Sequence, residues 1–138
     1  MLDAFGGAVL LIGYVHKFAR PEDVPEHTMF VITTDGMENA SRRYTYEKVK
    51  QMIERQKTKY NWEFLFLGAN IDAVQTAGQL GIGADRAVNY QCDSEGTALN
   101  YDVVSAAISS VRCSASLSAD WKKRIDEDYK KRGGRGHK

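Results

Sequence analysis

Proline and cysteine are scarce in this sequence, with two of each in 138 residues. So little proline excludes collagen-like and proline-rich linker architectures. Cys92 and Cys113 are too few for a disulfide framework, and with three scattered histidines they give no zinc-binding spacing. No apolar run approaches the roughly 20 residues of a membrane span. The apolar stretch in MLDAFGGAVLLIGYVHKF is short, follows no basic region and carries Asp3 at its start, so no secretory signal is expected. A reduced, cytoplasmic setting follows as the expectation. Gly-x-Gly-x-x-Gly and Walker patterns are missing, which removes the usual signal for nucleotide binding. Internal repeats are missing too.

What remains is an ordinary globular composition of 43% apolar, 27% charged and 10% aromatic residues, enough for one domain. The net charge of +1 hides an uneven distribution. Residues 120–138 hold eight basic side chains against four acidic ones, a net +4, so residues 1–119 carry −3.

Along the chain, residues 1–18 predict a helix that is apolar nearly all round (Leu2, Phe5, Val9, Leu11, Ile12, Val15) and therefore buried against a sheet. Pro21 and Pro25 mark a loop. Residues 29–33 are continuously β-favouring and end at Asp35-Gly36, which predicts a strand covered on both faces. Thr45 is placed to cap a helix that buries Val49, Met52 and Ile53. A second strand runs over 62–67 and stops at Gly68. Asp72 is placed to cap a short helix ending at Gly81, a natural left-handed position. Residues 87–90 predict a third strand. The helix over 97–112 is expected to present Tyr101, Val104, Ile108 and Val111 on one face. Strands alternating with helices predict right-handed crossovers and a parallel α/β sheet with helices on both sides. Residues 113–119 read as a linker and 120–138 as a basic tail, helical to disordered, with a thin stripe of Trp121, Ile125 and Tyr129.

Ligands of open parallel sheets bind beyond the carboxyl ends of the strands. Asp35 is the sharpest candidate there, because a strand-end carboxylate followed by glycine suits a hard cation. Thr33, Thr34 and Asn39 can add oxygen ligands directly or through water. Gly36, Glu38, Asn70 and Asp72 lie on the same two loops. The alternative is an Asp35 that only hydrogen-bonds its own turn.

The run Phe30-Val31-Ile32-Thr33-Thr34-Asp35-Gly36-Met37-Glu38-Asn39 resembles the central strand and metal loop of von Willebrand factor A-like domains, most closely the bacterial intracellular members. Trp62-Glu63-Phe64-Leu65-Phe66-Leu67-Gly68-Ala69-Asn70 is similar to their next strand. Leu2-Asp3-Ala4 is similar to the opening of the helix after the family's threonine-bearing loop. The resemblance spans residues 2 to about 112. It implies a three-layer Rossmann-like sheet, here truncated to about three of six strands, and a non-catalytic protein-interaction module. It also implies a metal-ion-dependent adhesion site for Mg²⁺ or Mn²⁺, in which an Asp-x-Ser-x-Ser loop, a threonine and a strand-end aspartate form the oxygen shell. Only Asp35 has its counterpart in this sequence, so metal binding is expected to be weak or absent. The strand at 29–33 would lose its neighbour, and a symmetric dimer pairing that strand across subunits is expected.

Two other classes compete. A small enzyme or receiver-like domain would use Asp35 with a metal or phosphoryl group. It also needs a lysine at a later strand end, where the sequence has Gly68-Ala69-Asn70 and Tyr90-Gln91-Cys92. A contact with nucleic acid or an acidic partner would use Lys122, Lys123, Arg124, Lys130, Lys131 and Arg132, against the acidic charge of the body. Asn39-Ala40-Ser41 is a sequon without an expected secretory route. His16 is expected as a hydrogen-bonded packing residue, both cysteines as incidental thiols, and the tyrosines and Trp62 as packing aromatics.

Overall fold

The computed structural model describes residues 2–23, 27–35, 45–114 and 117–134. Its elements are α1 (Leu2–Phe18), β1 (Met29–Thr34), α2 (Tyr46–Tyr60), β2 (Glu63–Gly68), α3 (Ala73–Gln79), β3 (Ala87–Asn89), α4 (Ser94–Ser114) and α5 (Lys123–Asp128). Short 3-10 turns cover Pro21–Asp23, Ala84–Arg86 and Ala119–Lys122, and a π-helical turn covers Tyr129–Gly134. The three strands pair in parallel in the order β1-β2-β3, with Met29 opposite Glu63 and Phe66 opposite Ala87. This is the three-layer, Rossmann-like α/β arrangement that the alternating pattern predicts.

The pleat of β2 explains both layers. Successive side chains point to opposite faces, so Phe64 and Phe66 enter one core while Leu65 and Leu67 enter the other. All four are at most 2% exposed. The first core also holds Val9 of α1, Val49 and Ile53 of α2, and Ala73, Ala77 and Leu80 around α3. The second holds Val103, Ala107 and Val111 of α4, with Val88, Tyr90, Leu117 and Ile125. Burying β2 on both faces is what makes its sequence continuously apolar.

The helix ends follow from local chemistry. Thr45 Oγ1 accepts from the Lys48 N–H, and Asp72 Oδ1 accepts from the Gln75 N–H, both at 3.1 Å. Gly81 takes φ +78°, with Gly81 N–H donating to Gly78 O and Ile82 N–H to Ala77 O, the pairing that closes α3. Asn61 closes α2 with φ +57°, a left-handed cap that asparagine tolerates.

Four expectations are corrected. Strand β1 is not covered on both faces: of its six residues only Ile32 is buried, and Val31 and Thr33 are exposed. Helix α1 is not buried all round: Leu10, Leu11, Tyr14, Val15 and Phe18 are each more than half exposed. At 100° per residue, Leu11, Val15 and Phe18 lie opposite Val9, which is 1% exposed against the sheet. On α4, Tyr101 and Ile108 face outward, and the buried line is Asn100, Val103, Ala107 and Val111. The chain after α4 is no solvated appendage, because Leu117 and Ile125 bury in the second core and Trp121 packs against it.

The two sheet edges differ. Thr28 O accepts from Glu63 N–H and Thr34 O from Ala69 N–H, each at 2.9 Å. Backbone groups of the even-numbered residues of β1 therefore point to β2, and those of Met29, Val31 and Thr33 point outward. Among the described residues no strand pairs with that outer edge. On β3, by contrast, the outward carbonyl of Ala87 accepts from Lys122 Nζ at 2.7 Å.

Candidate functional site

The carboxyl ends of the strands bring together Asp35 after β1, Asn70 after β2 and Tyr90 with Cys92 after β3. Asp35 is exposed. Its backbone oxygen accepts from Asn70 Nδ2 at 3.3 Å, which ties the two loops together. Asn70 stands at φ +60°, a conformation few residues besides glycine and asparagine adopt readily.

Tyr90 is buried, and burial is the main reason that its hydroxyl is pushed up to about 12. The neighbouring Cys92 and the charge of Asp35 add to the effect. Burial thus holds the phenol in its protonated form across physiological pH. Sequence reasoning treated Tyr90 as a packing aromatic and Cys92 as an incidental thiol. Their position at and directly after a strand end is the signal that could have placed them at this crevice.

The other candidates disperse. Asp72 is occupied as the cap of α3 through Gln75 N–H. The Thr33 side chain projects on the α4 side of the sheet and is exposed; Thr34 is half-buried. Gly36, Glu38 and Asn39 lie outside the described residues, as does the sequon they adjoin. Mg²⁺ requires near-octahedral oxygen coordination. Among the described residues no group of three His, Cys, Asp or Glu gathers to hold a metal ion.

Of the described basic residues of the tail, Lys122 and Arg132 are half-buried and the others exposed, and several meet carbonyls or carboxylates. Lys122 Nζ donates to the carbonyls of Ala84 and Ala87 at 2.7 Å, and Trp121 Nε1 donates to Asp85 O at 2.7 Å. Arg124 pairs with Asp102 at 2.7 Å and Lys130 with Asp126 at 3.2 Å. Arg132 meets Asp93, Glu95 and Asp128 at 2.7–2.8 Å. Lys123 and Lys131 are exposed. Lys122, Arg124, Lys130 and Arg132 already face carboxylates or carbonyls, which weakens the positive field that a polyanion would need.

Among the described residues no helix is long and apolar enough to cross a membrane. Comparison of the chain with protein-family models, with curated proteins and with solved structures gave no match.

Proposed function

We propose that this chain is a non-catalytic protein-interaction module of the von Willebrand factor A type that recognises its partner along β1 rather than through a metal. The partner is a second copy, paired β1 to β1 across a two-fold axis. The observation that supports this reading most directly is the outer edge of β1. Met29, Val31 and Thr33 turn their backbone groups outward there, and Val31 is 37% exposed. An edge of this kind is a template for strand addition. A reduced, cytoplasmic setting accords with the two exposed thiols, Cys92 and Cys113.

Val31→Pro tests the reading. The Val31 N–H points away from β2, so proline there leaves the internal ladder intact, as edge strands allow. It removes the donor that a second strand would use. Light scattering after size exclusion is expected to give a dimer for the unaltered chain and a folded monomer for the variant. A monodisperse monomer of the unaltered chain at high concentration overturns the proposal. Asp35→Ala, with or without Mg²⁺, is expected to leave the dimer unchanged.

A further inference from the structure

At the end of the sheet opposite Asp35, α1 and α2 lie beside the starts of β1 and β2. They enclose a cavity of about 460 Å³, within the range of small-molecule sites. Its wall includes Val9, Met52 and Trp62. Val9 is 1% and Trp62 5% exposed, so the floor is continuous with the first core. His16 meets Trp62 edge-on at 5.5 Å, which fixes the indole beneath the opening. Gly13 of α1 lies beside Gln56 of α2; a Cβ on Gly13 would come within 3.2 Å of Gln56 Nε2. Glycine at this point lets the helices approach without closing the space between them.

The charge of the lining is one-sided. Lys17 and Arg55 border the cavity, and among the described residues no Asp or Glu does. Neither cation forms an ion pair with a carboxylate among the described residues. Tyr14, Tyr60 and Gln56 add polar groups around an apolar floor. An apolar bed with two cations and no counter-charge is complementary to a ligand with an apolar body and one anionic head.

We infer that the α1–α2 cavity is a binding site for a small amphipathic carboxylate, its ring or chain resting on Met52 and Trp62 and its carboxylate held by Arg55 and Lys17. The site is independent of β1 pairing and of Asp35.

Calorimetric titration of the full chain with naphthalene-2-carboxylate and with its neutral amide tests this. The carboxylate is expected to bind at least about tenfold more tightly than the amide, since charge-assisted contacts contribute about 1.5–3 kcal/mol. In the Lys17→Gln, Arg55→Gln double variant, carboxylate affinity is expected to fall to that of the amide, with amide affinity unchanged. Equal affinity of the two ligands for the unaltered chain, or no heat from either at millimolar concentration, overturns the inference. That comparison needs only the unaltered chain, so it decides the matter even if the double variant does not fold.

Discussion

Lys122 Nζ reaches the carbonyl of Ala87 at 2.7 Å, and a residue from the turn before α5 thereby closes the outer edge of β3. The same ammonium donates to Ala84 O, so it anchors the tail to the turn that precedes the strand. A cation that fastens a sheet edge in this way discourages further strands from adding there. Lys122→Met keeps the side-chain stem and removes both bonds. It is expected to cost about 1–3 kcal/mol, read as a lower urea midpoint with an unchanged slope.

Gly96 sits in the first turn of α4, and its N–H donates to Asp93 Oδ1 at 2.8 Å. A Cβ on Gly96 would collide with the carbonyl oxygen of Gln91, a backbone atom that cannot step aside as a side chain would. Gly96→Ala normally favours a helix by about 1 kcal/mol. Here it is expected to destabilise by more than about 1 kcal/mol through backbone displacement. A thermal melt at or above that of the unaltered chain would contradict the packing described for this turn.

Arg132 bridges Asp93 and Asp128, and its hydrogen bonds are the main reason that both carboxyls lie below their ordinary value of 3.8. The Gly96 N–H adds to the effect at Asp93. Folded values below unfolded ones mean that the bridge stabilises fully above the unfolded value. That stabilisation is lost as pH falls through the folded values. The advantage of the unaltered chain over Arg132→Gln is therefore expected to be constant near neutrality and to shrink below about pH 4. Melting temperatures of both proteins from pH 7 down to pH 2 check this.

Ile125 is 1% exposed in the second core. Ile125→Ala is expected to cost about 2–5 kcal/mol, and a chain ending after α4 is expected to lose cooperative unfolding. Chemical denaturation of each measures how far the tail belongs to the fold.

The elements visible in the sequence were those governed by local signals. Thr45 and Asp72 cap helices as their types suggest, Gly81 ends α3, and the unbroken apolar run at 64–67 belongs to a strand with both faces covered. The face of α4 was misread because Tyr101 and Ile108 are apolar without being buried, while Asn100 is buried, at 7% exposed, without being apolar. Hydropathy periodicity cannot separate these cases; only the position of the neighbouring strand does. The docking of the tail was hidden for a related reason. Lys122, Arg124 and Arg132 look like a solvated basic run until the carbonyls and carboxylates they meet, distant in sequence, are brought beside them. At the crevice, Asp35 was legible as a strand-end carboxylate. Its link to Asn70 and its influence on Tyr90 depend on register between strands, which no local pattern carries.

The unequal edges of this sheet limit what can grow from it. A sheet open on both sides can recruit neighbours without end. With Lys122 seated on one border, the proposed joining of two chains along β1 would use the border that no described strand pairs. The product would be a six-stranded unit terminated at each extremity by an ammonium group. Removing that lysine would do more than loosen a contact: it would turn a chain terminator into a propagating end, and a finite pair into the seed of a fibre.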